Sequence, residues 1–251
     1  MKIHNQPLYE RQVVYFLDDI EVDNLPHYEE GRKLLLSKEI QIIPLSETEE
    51  FLDHFEIIDG KYPTNQTMLI LSPNNPTKYA EVEDSTIHFA LNKLTLILRL
   101  SQLLGAKQVT IEDIYSEKDE SNLSTKTEAS YGPGNGSIET NKLNESELDK
   151  YIGYVANFEG GSSDYNKAKL FIRKNHLGGD VFISNLVEMF DPEFPSNKLN
   201  NIKQKIKLTS KTSNTFNLLA GLKIPVGGGN FELNKKNISQ KNYILEISIE
   251  F

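Results

Sequence analysis

The chain has 251 residues, enough to bury a substantial core in one large domain or two small ones. Its 36 acidic residues outnumber its 27 basic residues, and it contains no cysteine. The lack of cysteine excludes a disulfide framework, a thiolate zinc site, cysteine catalysis and membrane anchoring by S-acylation.

Targeting signals are not apparent in the sequence. Residues 1–17 include charged side chains and lack the apolar stretch of a secretory signal. No run of about 20 apolar residues is present that could form a transmembrane helix. We therefore expect a soluble, cytoplasmic protein.

Charge is unevenly distributed along the chain. Residues 1–120 carry 11 Lys or Arg against 22 Asp or Glu, whereas residues 197–251 carry 9 against 3. An acidic front and a basic tail can pair with each other inside the fold, which is the interpretation we favour. The alternative is that the basic tail meets an anionic surface, either lipid head groups or nucleic acid.

The first part of the chain combines predicted strands and helices. Leu34–Ile43 and Thr67–Leu71 are predicted strands, because each is a short apolar run closed by a proline-containing turn. Ser46–Phe55 is predicted to be a helix, because Ser46 and Glu49 have the spacing of a capping box.

The strongest helix prediction covers residues 85–104. Apolar residues recur there at helical spacing and continue most of the way around the helix, so we expect it to be buried. Gly105 stands where a left-handed C-cap belongs. The alternation that follows in Val109–Tyr115 predicts a strand directly after the helix, and the two elements make a compact α/β unit.

The middle of the chain is less regular. Residues 122–143 are rich in Ser and Thr, alternate in polarity and are interrupted by a glycine-rich turn, which fits either a hairpin or a disordered loop. Tyr151–Phe158 and Lys167–Arg173 are predicted strands, and Val181–Phe190 is predicted to be a short helix.

The last fifty residues alternate between apolar and polar side chains. The polar positions of Ile202–Val226 are rich in lysine, and Tyr243–Phe251 repeats the two-residue period. This period is typical of β-strands with one buried face. We therefore predict a sheet whose lysines face outward and whose aliphatic side chains face inward.

Together these elements predict an α+β fold. Residues 1–118 would form a mixed α/β part around the buried helix at about 85–104, and residues 119–251 a largely antiparallel β part. The two parts are either separate domains or one continuous domain.

Two clusters have the residue types needed for catalysis. His176 and Asp180 flank a glycine-rich turn, where a carboxylate can orient an imidazole as general base. Asp59 and Lys61 place a carboxylate beside an ammonium group, which metal-dependent nucleases use to hold a divalent ion and to stabilise charge on a phosphate. The alternative in both cases, which we favour, is an ordinary polar turn.

Motifs for cofactors and metals are missing from the sequence. The five histidines do not have zinc-ligand spacing, and neither a phosphate-binding glycine loop nor a calcium loop occurs. We therefore predict no metal site and no cofactor.

The basic tail carries a row of lysines on one face of the alternating segment: Lys203, Lys205, Lys207 and Lys211. Near an anionic bilayer such a row gains about 1 kcal/mol per charge, so it is a candidate for binding an anionic membrane surface. It lacks the arginines and interleaved aromatic residues expected for nucleic acid, which we do not expect as a partner. The alternative is that these lysines form a solvated face, which prevents an edge strand from pairing with another chain.

The sequence favours a non-enzymatic interaction or effector protein that acts through a protein partner or as a homo-oligomer. A sharper version is a membrane-active β-pore former, since residues 122–143 and 202–226 have the length and alternation of pore hairpins. The alternative function is a metal-dependent hydrolase or nuclease.

Overall fold

A computed structural model describes residues 5–7, 10–116, 148–194, 199–208, 215, 219, 223–226, 229–232 and 243–251. The α-helices in this part are α1 (Asp19–Asn24), α2 (Glu29–Leu35), α3 (Thr48–Leu52), α4 (Ser85–Leu103), α5 (Tyr165–Lys174) and α6 (Val181–Glu188). The strands are β1 (Val13–Leu17), β2 (Ile40–Pro44), β3 (Glu56–Ile57), β4 (Met68–Leu71), β5 (Lys78–Glu81), β6 (Gln108–Ser116), β7 (Val155–Asn157), β8 (Asn201–Lys207), β9 (Lys223–Val226), β10 (Gly229–Glu232) and β11 (Tyr243–Glu250). Helices and largely antiparallel sheets confirm the predicted α+β class.

The chain divides into two compact units. One consists of Met1–His88 with Lys211–Gln240, and the other of Phe89–Ser210 with Lys241–Phe251. Each unit therefore combines segments that are distant in the sequence. The predicted division into residues 1–118 and 119–251 stays a prediction.

The first unit contains a five-stranded sheet in the order β2-β1-β4-β5-β3. Strand β1 pairs in parallel with β2 and antiparallel with β4, and β5 pairs antiparallel with β4 and in parallel with β3. Every residue of β1 and β4 is buried, which explains why both strands are continuous apolar runs rather than alternating ones. The predicted strand at Thr67–Leu71 is confirmed.

An aromatic cluster forms part of the core of this unit. The Phe51 ring lies 5.3 Å from Phe16 and 5.4 Å from Tyr79, in edge-to-face arrangements. The buried Tyr79 hydroxyl donates to the Arg11 carbonyl at 2.9 Å, so its polar atom has a partner. Burial raises the pKa of this phenol because the phenolate would lose its solvation.

The prediction of one strand over Leu34–Ile43 is wrong in its first part. Helix α2 continues to Leu35, and β2 begins only at Ile40. The helix carries two acidic residues in its first turn and two basic residues in its last turn, which suits the helix dipole. The Ser37 hydroxyl accepts the Ile40 N–H in the intervening turn.

Helix α4 begins in the first unit and continues into the second, and it confirms the predicted buried helix. Its first residue, Ser85, donates its hydroxyl to the Val82 carbonyl at 2.8 Å. After the helix, Gly105 has a φ of +86°. A Cβ atom at this position would lie 2.5 Å from the Gly161 carbonyl oxygen, so both the backbone angle and the close approach require glycine.

The second unit contains a four-stranded sheet in the order β7-β6-β11-β8, with every pair antiparallel. Leu245, Ile247 and Ile249 of β11 are buried, as is Ile206 of β8. Lys203, Lys205 and Lys207 are exposed. The predicted orientation of lysines outward and aliphatic residues inward is therefore confirmed for these strands.

The predicted strand at Lys167–Arg173 is wrong, because this segment belongs to helix α5. The Asp164 carboxylate accepts the Lys167 N–H at 3.0 Å and caps the helix. Helix α6 confirms the short helix predicted at Val181–Phe190, although it ends at Glu188. Residues 122–143 lie outside the described residues.

Candidate functional site

A cluster of ionisable side chains lies where β3 and the start of α4 meet in the first unit. Asp59, in the turn after β3, has a φ of +80° and is followed by Gly60 with a φ of +66°. The Asp59 Oδ2 atom lies 2.8 Å from Nε2 of His88, which belongs to the first turn of α4. Asp84 stands directly before this helix, and its carboxylate lies within 4.8 Å of ligand atoms from both other residues.

A lysine borders this cluster. The Lys61 Nζ atom lies 3.5 Å from Oδ2 of Asp84 and 3.1 Å from Oε2 of Glu81. The hydrogen bond to Glu81 is the main reason why the pKa of Lys61 is raised, so its ammonium keeps its charge over a wide pH range. We call Asp59, Lys61, Asp84 and His88 the turn cluster.

The turn cluster has two physical interpretations. Two carboxylates and an imidazole can supply three ligands to a divalent cation such as Zn²⁺ or Mn²⁺. The same groups can instead satisfy one another, because the His88–Asp59 contact and the Lys61 contacts link the turn to the helix without any ion. Among the described residues this is the only group of three such side chains close enough to share a metal.

The predicted site residues include two of the four members of this cluster. Asp59 and Lys61 were predicted together, and the structure places both in the turn cluster. Asp84 and His88 were not predicted as site residues. Their spacing of four residues at the start of a helix places them on the same face one turn apart, and that spacing was the available signal.

The second predicted catalytic pair lies in the other unit. The Asp180 carboxylate accepts the Ile183 N–H and thereby caps α6, and its Oδ2 atom lies 2.5 Å from Nζ of Lys93. His176 follows α5 with a φ of +51°. These contacts give Asp180 a structural task, and a catalytic role for His176 and Asp180 stays a prediction.

The lysine row is paired within its own sheet. Lys203 forms an ion pair with Glu112 of β6, and Lys205 lies 2.6 Å from Glu246 of β11 and 2.7 Å from the Tyr115 hydroxyl. The hydrogen bond that Lys205 donates to Glu246 is the main reason why the pKa of Lys205 is raised. Lys211 lies outside the described residues. Binding of an anionic surface by this row stays a prediction.

An exposed apolar surface lies at the edge strand β7 and in the turn directly before it. Ile152, Tyr154 and Val155 are 41%, 44% and 44% exposed, and they follow one another closely along the chain. The Tyr154 ring lies 5.9 Å from that of Tyr151. We call Ile152, Tyr154 and Val155 the β7 patch.

The part of the chain that the structure describes contains no helix with both the length and the apolar character needed to cross a bilayer. Comparisons of this chain with protein-family models, with curated proteins and with solved structures return no match.

Proposed function

We propose that this chain is a non-enzymatic interaction or effector protein that acts through a protein partner or by self-assembly. The observation that supports this proposal is the β7 patch, because its exposed apolar side chains lie at the edge strand of a sheet. Exposed apolar groups of this kind contribute most of the energy of protein association when a partner covers them.

The backbone of β7 adds to this argument. The Phe158 N–H donates to the Lys107 carbonyl, and the Ile111 N–H donates to the Tyr154 carbonyl. Along β7 and the residues that flank it, the backbone groups of even-numbered residues are therefore the ones directed toward β6. Hydrogen-bonding direction alternates along an antiparallel strand. Val155 and Asn157 therefore direct their N–H and C=O groups away from β6, where an extended segment of a partner can add to the sheet.

A matched pair of variants tests this proposal. Val155→Lys places a charge in the β7 patch, and lysine is a residue that blocks strand addition at sheet edges. Val181→Lys is the control, because Val181 is an exposed valine on α6 in the same unit. We expect the wild type and Val181→Lys to elute as oligomers or with a host partner in size-exclusion chromatography with light scattering, and Val155→Lys to elute as a monomer.

Two outcomes would contradict this proposal. Either the wild type is a monomer that recovers no partner from its host, or Val155→Lys assembles as the wild type does. A membrane-active β-pore is the sharper version of self-assembly, supported by the alternation in residues 122–143 and 202–226. It requires dye release from anionic liposomes by the wild type, and a lack of release removes that version alone.

The turn cluster favours a second candidate function, a metal-dependent hydrolase or nuclease. Asp59, Asp84 and His88 would hold a divalent ion, and the ion would supply Lewis-acid activation of a water molecule. Lys61 stands beside these ligands, where its ammonium can stabilise negative charge on a phosphate group.

Metal binding and nuclease activity separate this candidate from a structural ion-pair cluster. We expect Asp59→Asn to weaken Mn²⁺ or Zn²⁺ binding in isothermal titration calorimetry by at least about tenfold and to abolish cleavage of nucleic acid. Asp53→Asn is the control, since Asp53 is an exposed aspartate in the same unit. Metal affinity that is unaffected by Asp59→Asn would eliminate this candidate.

A further inference from the structure

Helix α5 has a cationic outer face. Asn166, Lys167, Leu170, Arg173 and Lys174 recur at spacings of three and four residues, so they lie on the same side of the helix. All five are exposed, and the Leu170 side chain is 63% exposed. The helix itself contains no acidic residue. We call these five residues the α5 face.

Two of the cations on this face are not neutralised by any neighbouring group among the described residues. Lys167 pairs with Asp164 at 2.8 Å. In the described part of the chain the side chains of Arg173 and Lys174 have no ion-pair partner. Their charges do suit the C-terminal end of a helix dipole, but that interaction leaves them open to solvent. By contrast, Lys203 and Lys205 of the lysine row are paired with carboxylates.

Leu170 distinguishes the α5 face from a solvated basic helix. It is three residues before Arg173 and four before Lys174, so an exposed apolar side chain stands directly beside two cations. At a lipid surface this combination lets the cations contact phosphate groups while the leucine enters the boundary between head groups and acyl chains. A single leucine on a ten-residue helix supports reversible peripheral binding rather than insertion.

We propose that the α5 face is a docking surface for the anionic lipid head groups of a membrane. This inference goes beyond the proposed partner binding, because it requires neither the β7 patch nor the turn cluster. Asp164 and Glu188 contact α5, but they pair with Lys167 and Lys169, so Arg173 and Lys174 carry the charge available to a membrane. Acidic residues farther away oppose binding only weakly, because salt screens their charges beyond about 10 Å at 0.1 M ionic strength.

Co-sedimentation with vesicles tests this inference. The full chain is mixed, at about 0.1 M salt, with two kinds of vesicle. One contains phosphatidylcholine alone, and the other contains phosphatidylcholine and phosphatidylserine in equal parts. Each unpaired basic residue near an anionic surface contributes about fivefold to partitioning, so Arg173 and Lys174 together predict about a 25-fold preference for the anionic vesicles. Lys174→Glu should lower partitioning about 25-fold, since it removes one favourable charge and adds one unfavourable charge.

Matched variants assign the effect to this surface. Lys38→Glu makes the same change in net charge at an exposed lysine of the other unit and should leave binding unchanged. Val155→Lys should still bind, which keeps this test separate from that of the proposed function. The inference is overturned if the wild type does not prefer anionic vesicles, or if Lys38→Glu weakens binding as much as Lys174→Glu. It is also overturned if Lys205→Glu, and not Lys174→Glu, abolishes binding.

Discussion

Lys93 shows how one buried charge can connect several elements. Its side chain is 6% exposed, and its Nζ atom lies 2.5 Å from both Oδ2 of Asp180 and the carbonyl oxygen of Lys207. The other carboxylate oxygen of Asp180 accepts the Ile183 N–H. One ammonium group therefore links α4, the start of α6 and the end of β8.

We predict that Lys93→Met lowers the free energy of unfolding by about 3–5 kcal/mol, because it leaves the Asp180 carboxylate buried without its counter-charge. The measurement is urea denaturation followed by circular dichroism. Asp180→Asn keeps the helix cap and removes the charge, so the double variant should lose less stability than the sum of the two single variants. A loss below about 1 kcal/mol for Lys93→Met would indicate a solvated pair instead.

Local chemistry explains which of these residues the sequence could predict. Gly105 follows a long apolar helix directly, so its left-handed conformation was predictable. Lys93 was not predictable as a buried ion, because a helix that is apolar on most sides tolerates one lysine that reaches solvent. Its partners, Asp180 and Lys207, are 87 and 114 residues away in the sequence, and no local pattern brings them together.

At the level of elements, α5 shows how two periods can coexist in one segment. The alternating side chains of Lys167–Arg173 fit a strand with Ala168, Leu170 and Ile172 on one face. In the structure Ala168 is buried and Leu170 is exposed, which only the helical period allows. Asp164 was the deciding signal, since a capping aspartate before a ten-residue segment favours a helix.

Alternation in the sequence can indicate a strand, but it does not identify the neighbours of that strand in the sheet. Side chains in β11 alternate in polarity because one face of the strand is buried and the other is less so. The sequence alone therefore indicates which side is buried. The position of β11 between β6 and β8 depends on pairing with residues that lie far away in the chain. Strand order in the five-stranded and four-stranded sheets was therefore beyond prediction from periodicity.

Across the whole molecule, opposite charges from distant parts of the sequence meet on one sheet. Glu112 from the acidic front pairs with Lys203 from the basic tail, and the Ser248 hydroxyl also donates to Glu112. This ion pair is the kind of contact expected if the acidic front and the basic tail pair with each other inside the fold. Ion pairs between residues three or four positions apart, Glu29 with Lys33 and Asp164 with Lys167, add local contacts in both units.

These contacts predict loss of stability in acid. Hydrogen bonds from Lys203, Lys33 and Lys167 are the main reason why the pKa values of Glu112, Glu29 and Asp164, respectively, are lowered in the folded chain. Between the folded and unfolded pKa values the unfolded chain binds more protons, so the free energy of unfolding rises with pH there. The stabilisation is present above the unfolded values of about 4 and is lost as the pH falls through the lower folded values.

The urea midpoint, measured at constant ionic strength, should therefore decrease as the pH falls from about 6 to about 3. Glu112→Gln should lose part of this decrease, because it removes one carboxylate with a lowered pKa. Glu159→Gln, an exposed glutamate in the same unit, is the matched control and should retain it. A midpoint that stays constant or increases in acid would mean that the ion pairs of both units are too well solvated to stabilise the fold.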